Sequence, residues 1–212
     1  MRRHECRIEV GQTGARAPAH DALVKAPFLI ALLCVAPPLA LADEPGTGWW
    51  AGIDGGVASL KRTYSVSGDK SDTNFAMSFR GGYAWSPQLL LGAELGGWLL
   101  EASDYNTDPS QGEAVETLLA FAQWYPGRGS PWFLKGGIGA ARYWTSHAGE
   151  ASGSGSAAML GFGRDFRIAE SWSVTAAADY SAGNLNGLTS PPGVTQDARY
   201  RALTLRVGLT YR

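Results

Sequence analysis

Residues 75–100 alternate between large apolar side chains and small, polar or charged ones, with the two-residue period of a β-strand. The apolar positions are Phe75, Met77, Phe79, Tyr83 and Trp85 in the first half and Leu89, Leu91, Leu95 and Leu99 in the second. The alternate positions include Ser78, Arg80 and Glu94. The pattern predicts two strands joined by a tight turn at residues 86–88. Their apolar face is too long to be left in water, so it packs on another protein layer or faces lipid.

The same alternation recurs along the chain after residue 48, and it predicts eight strands and no helix. The predicted strands are residues 49–61, 75–85, 89–100, 113–125, 132–144, 154–166, 172–183 and 198–212. Long connections at 62–73, 101–112, 145–153 and 184–197 alternate with short ones at 86–88, 126–131 and 167–171.

This order of strands is typical of one fold. Strands of roughly 10 to 15 residues are long enough for a tilted crossing of the hydrocarbon core of a bilayer. Long loops at one end and short turns at the other indicate an antiparallel up-and-down meander. We therefore predict an all-β protein, an eight-stranded antiparallel up-and-down transmembrane β-barrel. An even number of strands places both termini at the short-turn end, on the periplasmic side.

The positions of the aromatic residues support a membrane-spanning barrel. Tyr125, Phe166 and six further aromatic residues flank a short turn or a terminus, and those six form the predicted aromatic girdle: Trp49, Trp85, Trp124, Trp132, Trp172 and Tyr211. A second group, Trp144, Tyr180 and Tyr200, is predicted near the long-loop end. Two aromatic belts around an aliphatic band are what the two interfaces of a membrane select.

The N-terminal region has the features of an export signal. The chain of 212 residues contains one continuous apolar run, residues 26–42, which follows Lys25 and ends in Ala-Leu-Ala. We predict a signal peptide over residues 1–42, cleaved after Ala42, and an outer-membrane barrel over residues 43–212. A separate hypothesis is that translation starts at Val24, which would shorten the signal to residues 24–42. Both cysteines, Cys6 and Cys34, lie in the part to be removed, so the exported chain uses no disulfide.

Several segments together carry a family resemblance: GWWAGIDGGVAS, FRGGYAW, WFLKGGIGAARY, GFGRDF followed by WSVTAAADY, and the closing LTLRVGLTYR. The chain resembles the small outer-membrane β-barrel proteins of Gram-negative bacteria, the eight-stranded OmpA/OmpX-like type. The resemblance implies a monomer in the outer membrane that contacts outer-membrane lipid and lipopolysaccharide. It also implies recognition by periplasmic chaperones and the outer-membrane assembly machinery. Members usually end in an aromatic residue, whereas here Tyr211 precedes Arg212.

If the apolar positions face lipid, the alternate positions face the lumen. Six charged residues then point inward: Asp54, Arg80, Glu94, Lys135, Asp179 and Arg206. Gln123 and Asp165 are weaker candidates for the same interior. Charges inside a narrow barrel must be paired, because desolvating a lone charge costs several kcal/mol.

The register of the strands suggests particular pairs. A hairpin centred on Pro87 sets Arg80 opposite Glu94. Closing the barrel with Trp49 beside Tyr211 sets Asp54 opposite Arg206, and Lys135 and Asp179 would extend the layer. An eight-stranded barrel is just wide enough for such side chains to fill, so we predict a plugged lumen. The alternative is that each charge is separately solvated by water in the lumen.

Evidence for catalytic chemistry is weak. His147 is the one histidine after residue 42, and no His/Cys cluster could bind zinc. The residues around it do not match the His-x-Ser spacing expected of a lipid A-modifying hydrolase. We expect no enzyme activity, no catalytic residue, no cofactor and no metal site.

A formal net charge of −1 gives no basic field for nucleic acid.

We therefore expect a structural, surface-exposed barrel whose long loops serve adhesion or envelope integrity. Those loops and their edges carry an acidic rim: Asp69, Asp72, Glu101, Asp104, Asp108, Glu113, Glu150 and Asp197. Three alternatives stay open: a small-solute pore, a soluble periplasmic carrier of the lipocalin kind, and the lipid A-modifying hydrolase.

Overall fold

A computed structural model describes residues 47–65, 68–100, 113–145, 153–190 and 194–212. Its eight strands are β1 (Gly48–Tyr64), β2 (Gly68–Ser86), β3 (Leu89–Leu100), β4 (Glu113–Trp124), β5 (Trp132–Thr145), β6 (Gly153–Arg167), β7 (Trp172–Ser190) and β8 (Val194–Tyr211). They pair antiparallel in sequence order, and β1 pairs with β8 to close the barrel. The predicted all-β, eight-stranded up-and-down barrel is confirmed.

The two faces of the wall have opposite chemistry, as the alternation predicts. Apolar side chains of every strand point outward, for example Ile53, Ile138 and Leu205, which are 46%, 72% and 57% exposed. The alternate side chains, small, polar or charged over much of each strand, point into the lumen. Such an outward apolar surface is far larger than a soluble protein leaves in water, so lipid is its natural solvent.

The predicted aromatic girdle lies at the short-turn end of the wall. Trp49, Trp85, Trp124, Trp132 and Trp172 are all exposed on the outer surface. Tyr211 is half-buried and packs edge-on against Trp172, with ring centroids 5.3 Å apart. The second belt is only partly as predicted, because Tyr200 points into the lumen and is buried. Tyr180 points outward, eight residues along β7 from the girdle residue Trp172 and opposite Leu203 of β8.

Two of the predicted long loops are wrong. Residues 62–73 belong mostly to β1 and β2, and residues 184–197 mostly to β7 and β8. These hairpins extend beyond the apolar band, where the outer face of a strand meets water and the alternation of apolar and polar residues is lost. A bulge between Leu185 and Leu188 also disturbs the pattern, and Gly187 supplies the positive φ of 73° that it contains.

Three predictions fall on residues outside the described part of the chain. They concern the signal peptide at 1–42, most of the loops at 101–112 and 145–153, and His147 within the latter. Where the chain is described, the structure contains no helix long and apolar enough to cross a membrane.

Candidate functional site: the charged lumen

The six charged residues singled out from the sequence all lie inside the barrel. Asp54, Arg80, Glu94, Lys135, Asp179 and Arg206 are each no more than 8% exposed. Strand periodicity places them there, because each is an even number of residues from an inward neighbour on its own strand. Three acids and three bases make the set neutral.

Four of these residues form a compact cluster around Arg206. The Nη1 group of Arg206 donates to Glu94 Oε1 at 2.6 Å, and its Nε donates to Asp179 Oδ2 at 2.6 Å. Lys135 Nζ donates to the same two acids, at 2.9 Å to Glu94 Oε2 and 3.4 Å to Asp179 Oδ2. Each acid is therefore held by both cations, which offsets much of the cost of burying the four charges.

The other two charges form a pair beside this cluster. Arg80 Nη2 donates to Asp54 Oδ1 at 3.1 Å, and Arg80 Nε lies 2.9 Å from Asp54 Oδ2 without hydrogen-bond geometry. The space is provided by Gly52, the cross-strand neighbour of Arg80, since a Cβ there would lie 3.1 Å from Arg80 Nε. Ser78 joins the pair to the cluster: its hydroxyl donates to Asp54 at 3.2 Å and accepts from Arg206 at 2.7 Å.

The structure corrects the predicted partners. Arg80 and Glu94 are backbone neighbours between β2 and β3, as predicted, but their side chains bond to other residues. Asp54 is opposite Gly208, and Arg206 is opposite Gly56. The closing register is shifted by two residues because Tyr211 pairs with Ala51, not with Trp49. Asp54 and Arg206 are thus linked through Ser78 and form no direct pair.

Polar contacts continue from this layer to the short-turn end. Gln123, predicted as a weaker candidate, accepts from Arg80 Nη1 at 3.4 Å and lies 2.5 Å from the Tyr125 hydroxyl. Asp165, the other weaker candidate, accepts from Tyr125 at 2.6 Å and from Thr175 at 2.7 Å. Arg212 donates to both Tyr125 and Asp165, and its guanidinium lies 4.8 Å from the centroid of the Tyr125 ring.

On its other side the charged layer meets an apolar layer that we did not predict. Trp98 and Tyr200 pack with ring centroids 5.8 Å apart, and Trp98 Nε1 donates to Thr204 at 3.1 Å. Four buried aliphatic side chains belong to the same hydrophobic cluster: Leu60, Val115, Leu185 and Leu188. A cavity of about 10 Å³ between the two layers has room for roughly one water molecule. Extending the inward alternation of β3 by two residues from Gly96 would have identified Trp98.

A second ionic cluster lies at the long-loop end of the lumen. Arg62 is buried and contacts Asp72 at 2.9 Å and Glu113 at 3.4 Å. The sequence predicted Arg62 in a loop and the two acids on an open rim, because a run of polar residues at the end of a strand is typical of a loop. A third rim residue, Asp69, is paired with Lys61 at 2.6 Å.

These contacts define what the interior can do chemically. Over the described ranges, no group of three or more His, Cys, Asp or Glu residues is arranged to hold a metal ion. Each of the six charges is engaged by an opposite charge at 3.4 Å or less. Such an arrangement is suited to filling space with matched charges.

Comparisons with known proteins agree with this architecture. Residues 26–212 match the model of the family described as "Outer membrane protein beta-barrel domain". The structure is similar to that of Neisserial surface protein A (NspA), with 16% identity, a TM-score of 0.54, and coverage of 79% of this chain and 99% of that one. It also aligns with Ail, the attachment invasion locus protein of Yersinia pestis, at 14% identity and a TM-score of 0.46, covering 76% and 98% of the two chains. No curated protein sequence matches significantly.

Proposed function

Because this chain belongs to the outer membrane protein beta-barrel domain family and is located in the outer membrane of Gram-negative bacteria, we propose that it is a structural surface protein with a closed lumen. Its barrel would contribute to envelope integrity and would present its loops at the cell surface. Adhesion by those loops depends on residues 101–112 and 146–152, which lie outside the described ranges.

The observation that carries this proposal is the filling of the lumen by successive layers of side chains. Hydrogen bonds run from Arg212 at the short-turn end through Asp165, Thr175 and Thr210 to Arg80 and the other buried charges. The apolar layer around Trp98 and the Arg62 cluster lie beyond these charges, toward the long-loop end. An ion entering this interior would have to break charge-assisted hydrogen bonds at about 2.6 Å, and it would then meet the apolar layer around Trp98. Both obstacles oppose conduction, which favours a closed barrel over the small-solute pore.

Two alternative functions have less support. The soluble carrier is wrong, because the barrel is an outer-membrane one and turns its apolar side chains outward. An enzyme would need a nucleophile and a base within hydrogen-bond reach of each other. The lumen contacts described above have the chemistry of ion pairs, so we propose a non-enzymatic role.

The proposed partners follow from the location. We propose a monomer surrounded by outer-membrane lipid and lipopolysaccharide, which reaches the membrane through periplasmic chaperones and the assembly machinery. The side chain of Arg212 points into the lumen mouth, so Tyr211 presents the final outward aromatic ring of β8.

Planar-bilayer recording of the purified, folded protein tests the closed lumen. The expected result is no stable open channel at moderate voltage, because the charged layer stays intact. A general porin inserted in the same bilayer serves as the control for detection, and heat-modifiable migration on gels establishes that the sample is folded. A steady, voltage-independent conductance from folded protein would contradict the proposal and favour the small-solute pore.

A further inference from the structure

Three basic side chains interrupt the outer surface where its apolar band ends. Lys61 on β1 and Arg199 and Arg201 on β8 are exposed and point outward at the long-loop end. Directly below Arg201 on the same face, Leu203 is apolar and 55% exposed.

The height of this basic patch matches the outer boundary of a membrane. Arg201 lies ten residues along β8 from the girdle residue Tyr211. At about 3.3 Å per residue and a tilt of 35–45°, ten residues rise about 25 Å, the usual height of the apolar band. The patch is therefore level with the headgroups of the leaflet at the long-loop end.

The patch brings like charges together without enough acids to balance them. Lys61 and Arg201 are direct cross-strand neighbours, and Arg199 is two residues further along the same face. Like charges in this position destabilise a sheet. Asp69 balances Lys61, and the hydrogen bond from Lys61 holds the pKa of Asp69 below its ordinary value. Among the described residues, no acid lies within ion-pair distance of either Arg199 or Arg201.

The nearest other acid along β8 is the exposed Asp197, two residues from Arg199. Asp197 accepts a hydrogen bond from the Gly187 amide at 3.3 Å. On another part of the wall, Arg142 of β5 is a single outward cation, and its cross-strand neighbour is the acidic Glu116. Among the described residues no acid forms an ion pair with Arg142, and Glu116 accepts a hydrogen bond from Trp144 Nε1 at 3.0 Å. The two regions differ because Arg142 is a single cation beside an acid, whereas Lys61, Arg199 and Arg201 are three cations on one face.

We propose that Arg199 and Arg201, assisted by Lys61, bind the phosphate groups of a phosphorylated glycolipid of the outer leaflet. The inference rests on the proposed membrane orientation, which places the long-loop end at the cell surface. Guanidinium groups bind phosphate in a bidentate manner, and two adjacent ones suit a headgroup that carries two phosphates. The apolar band below Arg201 accepts the acyl chains of the same lipid. The glycolipid fits this surface better than an ordinary phospholipid does, because a phospholipid offers the two guanidinium groups only one phosphodiester.

The test uses the folded full chain purified in a zwitterionic detergent, with EDTA present so that no divalent cation bridges the partners. Bisphosphorylated lipid A is titrated and binding is followed by native mass spectrometry. Each basic side chain near an anionic surface contributes about fivefold to binding, so Arg199→Gln/Arg201→Gln is expected to weaken it about 30-fold. Arg142→Gln is the matched control at an outward position and should bind as the unaltered chain does.

Two comparison lipids identify the source of the phosphate. Dephosphorylated lipid A should lose most of the affinity, and phosphatidylglycerol should bind more weakly than lipid A. Equal binding of phosphatidylglycerol, or unchanged affinity in the double variant, would overturn the proposal. If the double variant does not fold, Arg201→Gln alone is measured, with an expected loss of about fivefold. A conducting lumen in the bilayer test would leave this affinity unchanged, so the two proposals fail separately.

Discussion

At the scale of single residues, Glu94 shows why the lumen tolerates so many charges. Its two oxygens are held by different cations, Arg206 at 2.6 Å and Lys135 at 2.9 Å. Glu94→Ala would leave two buried cations with one acid, Asp179, between them. Removing one member of a buried ionic group costs about 3–5 kcal/mol, and we expect the free energy of unfolding to fall by that amount.

Urea unfolding in lipid vesicles, followed by tryptophan fluorescence, measures this loss. The matched control is Glu170→Ala in the exposed turn between β6 and β7, where a change within about 0.5 kcal/mol is expected. Equal effects of the two substitutions would mean that the lumen charges are separately solvated by water.

The corrected pairing makes a second prediction at this scale. Double-mutant cycles with Arg80→Met should give a larger coupling energy to Asp54→Asn than to Glu94→Gln, by about 1 kcal/mol or more. The reason is that Arg80 contacts Asp54 directly, whereas its connection to Glu94 runs through Asp54, Ser78 and Arg206. The same unfolding measurement supplies all the values. A larger coupling energy between Arg80 and Glu94 would contradict this pairing and indicate that Arg80 pairs with Glu94, as the sequence predicted.

At the scale of strands, alternation predicted which side chains face inward, while register decided which of them touch. The β2–β3 register was predictable because a tight turn next to Pro87 fixes it. The β1–β8 register was not, since no turn joins these strands and the stagger of a closed barrel depends on its shear. Taking Trp49 and Tyr211 as neighbours misplaced Asp54 by two residues.

The ends of the strands were also hard to predict from sequence. Arg62 and Asp72 lie beyond the apolar band, where nothing selects for apolar residues on the outer face. Their polar surroundings therefore resemble a loop, although the two residues pair inside the barrel. A pattern based on lipid contact can identify a strand only as far as lipid reaches.

Glycines of the strand walls give a prediction at this scale. Gly161 lies on the lumen face of β6, where a Cβ would collide with the carboxylate of Asp179. Gly136 lies on the lipid face of β5, where a Cβ would meet Leu160 Cδ2 at 3.5 Å. Gly161→Ala should lower the free energy of unfolding by about 1–3 kcal/mol, as overpacking does. Gly136→Ala should be neutral or slightly stabilising in the same urea titration. A neutral Gly161→Ala would show that Asp179 can move away from its cations without cost.

At the scale of the whole molecule, the closed lumen and the basic patch both depend on the direction in which the barrel crosses the membrane. Residues 43–212 contain no cysteine, so single cysteines can report each end of the barrel without interference. Lys70 is exposed at the long-loop end, and Arg128 is exposed in the turn between β4 and β5 at the short-turn end.

We expect Lys70→Cys to react with a membrane-impermeant maleimide on intact cells, because the long-loop end faces the medium. Arg128→Cys should react only after the outer membrane is permeabilised. Both positions are exposed and exchange one surface cation, so the two variants control for each other in reactivity and folding. If only Arg128→Cys were labelled on intact cells, the barrel would cross the membrane in the opposite direction, with its short-turn end at the cell surface. Arg199 and Arg201 would then face periplasmic-leaflet phospholipid, and the glycolipid assignment would fall while the closed lumen would stand.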